Sequence, residues 1–355
     1  MAWTFEVNRE DSADAAAVPI VISTDATLRD GDTLLAVERL SITANNVTYA
    51  QVGERLGYWR FFPLADPLRG VVPAWGFARV VRTTRDDIPV GQRIYGFLPM
   101  ATHLVARLVP AGGALVDRAP HRVPMAAVYN RYALATEEAD HDDHRALLQP
   151  LLVTSFLIDS HLGDMAMFGA TRVVLSSASS KTALGLAWML KRRQGVEVVG
   201  LSSPANIAAI VDTGCYDRLM PYAEAEALGA DGAMAVYVDF AGDARLTYRL
   251  HAALGDDLLA SIRVGSTHRE APADAAPPPG VTPSFFFAPD HAHKRIMTWG
   301  EGGFHKRFAA ALDAFIAANP WLVIDHLHGA EGIAAAWEAV LTGRADPTHG
   351  LIVRI

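Results

Sequence analysis

The residues with the clearest chemical grammar lie between Thr171 and Tyr222. Arg172-Val-Val-Leu175 is an apolar, β-branched run, Ser176-Ser-Ala-Ser-Ser180 follows it, and Lys181-Thr182 opens a stretch of helical periodicity. A turn of small residues between a strand and a helix leaves backbone N–H groups open to a pyrophosphate, where a bulky Cβ would block the approach. Ser177, Ser180 and Ala183 stand about where the glycines of a G-x-G-x-x-G turn would fall. Ser177, Ser180, Lys181 and Thr182 are therefore the candidate phosphate ligands. The next apolar run, Val196–Leu201, ends in Ser202-Ser203 with no acidic residue. An acid there would accept from a ribose 2′-OH and repel a 2′-phosphate, so the neutral donors Ser202, Ser203 and Asn206 favour NADP(H) over NAD(H). Ser203 before Pro204 is also an ordinary helix start. Tyr222 completes the candidate cofactor set.

Lys181-Thr182 also resembles the end of a P-loop, with Asp239 as the acid that would hold Mg²⁺. A P-loop needs glycines to shape its phosphate nest, and serines stand here instead, so NTP hydrolysis is the weakest reading. His141 and His144 are spaced i, i+3 in a polar run ahead of an apolar helix, which reads as a solvated helix start and not a metal site. His291-Ala-His293 and His326-Leu-His328 would place paired imidazoles on one side of an extended chain, without a third ligand. Phe285-Phe-Phe287 reads as a buried strand, and the Pro-rich stretch Ala271–Pro283 as an exposed loop. No metal is expected.

These groups must be held by two kinds of architecture. Up to about Ala135 the apolar residues come in short runs such as Leu34–Leu40, Val71–Val81 and Gln92–Gly96, separated by turn residues, as in a compact β unit. From about Gln149 strands and helices alternate, with further runs at Ala235–Phe240 and Leu258–Val264, which implies βαβ units and a parallel sheet. A long helix, Gly303–Ala318, stops before Pro320, and Leu351–Ile355 reads as a strand that rejoins the first unit. The expected division is 1–148 completed by 316–355, around a dinucleotide-binding unit at 149–315. The single cysteine, Cys215, allows neither an internal disulfide nor a multi-thiolate zinc site. A formal charge of −8 argues against nucleic acid as the partner. No stretch of about 18 uncharged apolar residues stands out, and the charged N-terminus is unlike a signal peptide, so a cytoplasmic protein without a membrane span is expected.

The segment VVLSSASSKTALGLAWMLKRR, the later VEVVGLSSPANIAAIVDTGCYDRLMPY, and the N-terminal runs Ala44–Tyr49, Ala74–Val81 and Ile88–Gly96 share an order and spacing. In these the chain resembles the zinc-free quinone and enoyl reductase branch of the medium-chain dehydrogenases/reductases. That resemblance covers nearly the whole chain and implies a GroES-like β domain joined to a Rossmann domain with a doubly wound parallel sheet. It implies hydride transfer from NADP(H) to a carbonyl or activated C=C small molecule, of quinone, enone or enoyl type. It also suggests a homodimer. With no cysteine before position 215, zinc catalysis is excluded.

Another proton donor is then needed. In enoyl reductases of this superfamily a tyrosine a dozen residues past an Asn-containing motif fills that role, and Tyr58 stands there relative to Asn46. The expectation is Tyr58 as donor, Tyr49 and Asn46 lining the site, and Trp59, Phe61 and Phe62 as an apolar substrate wall. Both tyrosines could equally be packing residues. A second class of reading keeps the nucleotide and drops the hydride chemistry, since a fold does not fix a function.

Overall fold

The computed structural model describes residues 1–21, 28–136, 141–264 and 277–355. The chain divides into two compact units, one of 1–147 with 323–345 and 349–355, the other of 148–322 with 346–348. The chain leaves the second unit at Val323, later than the expected 316. The helix Glu301–Ala318 buries Phe304, Phe308, Leu312 and Phe315, and Phe315 packs against Trp188 and Trp321 of the same unit.

The first unit is mostly antiparallel. Strands Thr33–Ile42, Pro73–Thr83, Arg93–Pro99 and Arg131–Ala135 follow one another in a nine-stranded sheet. The C-terminal strand His349–Arg354 joins this sheet by pairing antiparallel with Thr33–Ile42, Leu351 opposite Ile42 and Arg354 opposite Arg39. Successive side chains along a strand point to opposite faces; the central strand Arg93–Pro99 is buried along its whole length, and one face of the sheet is apolar. That face meets Phe5, Trp59, Ile333 and Trp337 in the core.

Among the described residues the second unit holds six parallel strands: β1 (Arg172–Leu175), β2 (Glu197–Ser202), β3 (Arg218–Pro221), β4 (Ala235–Asp239), β5 (Leu258–Arg263) and β6 (Ser284–Phe285). Their spatial order is 3-2-1-4-5-6, the doubly wound order of a Rossmann sheet. Every residue of β1 and β4 is buried. Such fully buried, mostly apolar strands, with Arg172 and Asp239 as their charged end residues, are what a parallel sheet covered on both faces requires.

Three expectations change, and part of a fourth lies outside the described residues. His291 and His293 lie on a helix, Ala288–Trp299, started by Pro289, so they are not paired along an extended chain. Of Phe285, Phe286 and Phe287 only Phe286 is buried; β6 is an edge strand, and Phe285 and Phe287 are 61% and 48% exposed. One described helix, Asp142–Asp164, is long and apolar enough to cross a bilayer by length and composition, and half of its most apolar stretch is buried in the protein. Part of the Pro-rich loop, 271–276, lies outside the described residues.

Candidate functional site

The serine loop joins β1 to the helix Lys181–Leu190 and is pinned at nearly every residue. Ser176 is buried and donates to Asp239 at 2.7 Å, while its oxygen accepts the N–H groups of Phe240 and Ala241 at 2.9 and 3.0 Å. Ser177 has φ +50°, the left-handed region that a glycine would enter without strain, and its N–H donates to the Tyr222 hydroxyl at 3.1 Å. Ala178 bridges to β2, its N–H donating to the Leu201 carbonyl and its own carbonyl accepting from Tyr216. A Cβ on Gly200 would fall 2.8 Å from Ala178 Cβ, so the close approach of loop and β2 requires glycine there.

Ser180 is the helix N-cap, accepting the Ala183 N–H at 3.2 Å. Among the described residues the N–H groups of Ser179, Lys181 and Thr182 make no hydrogen bond. Unpaired donors at a helix start, with the positive end of its dipole, form an anion-binding surface. Lys181 donates to the Pro347 carbonyl at 3.2 Å, and burial pushes its ammonium down to about 8 although Asp346 pulls the other way. Thr182 gives its carbonyl to Ser155.

At the end of β2 Ser202 is buried, with Ser179 at 3.5 Å. Ser203 caps the helix Pro204–Ile210 by accepting the Asn206 N–H at 3.3 Å. No acidic side chain stands in this turn. The loop thus brings Ser177, Ser180, Lys181, Thr182, Ser202 and Tyr222 together, with Ser203 and Asn206 at the start of the next helix. These residues fit a phosphorylated dinucleotide. They fit an NTP-Mg²⁺ complex poorly, because Asp239 is engaged by Ser176, Tyr237, Ala241, Gly242 and, at 3.5 Å, Thr247. Among the described residues no group of three metal-ligating side chains gathers, at His141 and His144 or elsewhere.

The first unit carries the tyrosines. Tyr49 and Tyr58 pack with ring centroids 4.5 Å apart and planes tilted by 35°, and the Tyr58 hydroxyl lies 3.2 Å from that of Tyr129. Phe97 packs against Tyr49, Phe61, Trp75 and Tyr129, which makes a half-buried aromatic cluster with two phenols meeting in it. Burial pushes the Tyr49, Tyr58 and Tyr129 hydroxyls above the ordinary phenol range. The backing is rigid. Arg122, fully buried, stands 4.7 Å over the Phe61 ring and donates to the Tyr129 carbonyl at 2.7 Å and the Asn130 side chain at 2.9 Å.

Two expected site residues are used differently. Asn46 is buried; its oxygen accepts the Thr43 N–H at 2.7 Å in a capping box, and its nitrogen donates to the Pro73 carbonyl at 2.8 Å. Both ends of the amide are engaged, so it positions the helix Ala44–Gln51 that carries Tyr49. Trp59 belongs to the core and not to a substrate wall. Its ring lies where a Cβ on Gly53 or Gly70 would be, 2.4 Å away in each case. Phe61 and Phe62 are buried members of the aromatic cluster itself. Sequence reasoning missed Tyr129 and Arg122, which sit in the stretch Arg122–Tyr129 that carries no recognisable motif.

The two units have the folds of a GroES-like β domain and a Rossmann domain. Among similar solved structures, the NADPH complex of CurA from Vibrio vulnificus has a TM-score of 0.62 at 12% identity, over 96% of this chain and 94% of that one. The mitochondrial 2-enoyl thioester reductase Etr1p/Etr2p heterodimer from Candida tropicalis has 0.59 at 9%, over 100% and 99%. Human synaptic vesicle membrane protein VAT-1 homolog-like protein has 0.55 at 14%, over 100% and 98%. By sequence, the chain belongs to the family described as "Protein of unknown function (DUF2855)", matched over residues 40–346. No curated protein matches the sequence.

Proposed function

We propose that this chain is an NADP(H)-dependent, zinc-independent reductase of a small carbonyl or activated C=C compound of quinone, enone or enoyl type. The carrying observation is the serine loop: three unpaired N–H groups lie in the turn and helix start after β1, the place at which a Rossmann sheet receives a pyrophosphate, and no carboxylate follows β2. Bound there, NADPH supplies hydride. Ser177, Ser180, Lys181 and Thr182 hold the phosphates, Ser202, Ser203 and Asn206 donate to the ribose phosphate, and Tyr222 closes the loop. In the first unit Tyr58 donates a proton to the substrate oxygen, Tyr49 packs beside it, and Phe61 and Phe62 form the apolar wall. Asn46 holds the helix under Tyr49. The exposed Phe285, on the sheet edge, and Phe287 support a homodimer, which sedimentation of the purified protein tests.

The experiment is NADPH consumption with a panel of quinones, enones and aldehydes, in wild type and Tyr58→Phe. Turnover above a no-protein control that falls about 100-fold or more in Tyr58→Phe supports the reading. NADPH binding without turnover of any acceptor replaces it with a nucleotide-binding role.

A further inference from the structure

We propose that Tyr58 does not deliver its proton alone: Tyr129 is its positioning partner, and the two phenols act as one unit on the substrate oxygen. This rests on the reductase reading above and names a residue that reading did not contain.

The argument starts from the cost of a buried phenolate. When the substrate carbon receives hydride from NADPH, the nicotinamide is oxidised and the electron pair of the substrate π bond moves to oxygen. That oxygen takes the proton from the Tyr58 hydroxyl, whose O–H bond breaks and leaves a phenolate. Phe61, Phe97 and Tyr49 surround Tyr58, and an aromatic wall gives a new charge no solvation. Among the described residues the Tyr129 hydroxyl, at 3.2 Å, is the one side-chain hydrogen-bond partner Tyr58 has. A hydroxyl rotates freely, so Tyr129 donates to the phenolate as it forms, a charge-assisted bond worth more than a neutral one. Water returns the proton to Tyr58 after the product leaves. Burial raises both phenols, which makes an unassisted Tyr58 a weak acid and the partner necessary.

Tyr129 is held for this task. Its carbonyl accepts from the buried Arg122, and its ring packs on Phe97 at 4.6 Å and Phe61 at 5.4 Å. By contrast the Tyr95 hydroxyl, buried in the neighbouring Trp75–Phe77 stack, has no partner among the described residues, and Tyr95→Phe serves as the control.

The test has two readouts. Tyr129→Phe keeps the ring and removes the donor; kcat is expected to fall about tenfold to a hundredfold with KM within about threefold. The loss is larger for aldehydes and enones than for quinones, whose product oxyanion is less basic, and Tyr58→Phe/Tyr129→Phe is no slower than the slower single variant. Without turnover, binding of 4-nitrophenolate as an oxyanion mimic in the presence of NADP⁺, followed by absorbance, is expected to weaken about tenfold in Tyr58→Phe and in Tyr129→Phe, and to stay unchanged in Tyr95→Phe. If Tyr129→Phe matches wild type within twofold in either readout, or wild type fails to bind the mimic, the pair is overturned. If wild type binds the mimic through both phenols but reduces no acceptor, the reductase reading fails and the oxyanion pair stands.

Discussion

The Tyr222 hydroxyl accepts the backbone N–H of Ser177 at 3.1 Å, at the one residue of the serine loop whose φ is positive. A side chain 45 residues away thereby holds the strained turn on which the phosphate surface depends. Tyr222→Phe leaves that N–H unpaired. Thermal unfolding of the cofactor-free protein is expected to show a loss of about 1 kcal/mol, the lower end for a half-exposed donor. The loss shrinks when saturating NADPH is present, because phosphate oxygens then offer an acceptor.

Lys181 supplies a pH dependence. Its ordinary value is 10.5 and burial brings it to about 8 in the folded chain. Between these values the unfolded chain holds more protons, so the stability this group contributes rises with pH from about 8 to 10.5. On the proposed role of Lys181, NADPH affinity runs the opposite way, because an ammonium beside the phosphates would lose its charge as pH climbs through 8. Isothermal titration is expected to show Kd weakening about tenfold between about pH 7 and about pH 9, while Lys181→Met binds about tenfold more weakly at neutral pH and is flat across that range.

Ser203 separates the cap from the charge. Aspartate caps a helix as well as serine, so Ser203→Asp keeps the bond to the Asn206 N–H and the fold. It also adds a carboxylate where a 2′-phosphate would lie. NADPH affinity is expected to drop at least about tenfold and NADH affinity to rise, as competition titrations would read out. Equal loss for both cofactors would mean the serine acts on the helix alone.

The core position of Trp59 is tested by stability. Trp59→Ala opens a cavity between Gly53 and Gly70 and is expected to cost about 3–5 kcal/mol in denaturant unfolding. A surface or substrate-wall tryptophan would cost far less, and the change would appear in KM.

Features carried by local pattern were legible in the sequence, and those carried by tertiary pairing were not. The β1–serine loop–helix unit, the alternating strands and the returning C-terminal strand all follow from periodicity and turn residues. The Thr43–Asn46 spacing did carry a capping signal, overshadowed by the resemblance that drew attention to Asn46 as a site residue. Trp59 follows Tyr58 in a short 3-10 turn, and neighbours in such a turn face different ways, so one points into the core while the other meets the phenol cluster. Phe285-Phe-Phe287 reads as a uniform buried run, yet Phe285 ends a two-residue edge strand and Phe287 is the N-cap of the following helix, so both are exposed and Phe286 alone is buried. Tyr129 reaches Tyr58 across 71 residues, a meeting that exists only after Arg122 and the sheet have fixed the loop between them.

The most direct test of the account is parallel titration of the purified protein with NADPH and with NADH, followed by nicotinamide fluorescence or heat. The account predicts micromolar binding of NADPH, at least about tenfold weaker binding of NADH, and loss of that preference in Ser203→Asp. Absence of binding to either cofactor would contradict it, because the unpaired N–H groups at Ser179, Lys181 and Thr182 would then serve no dinucleotide.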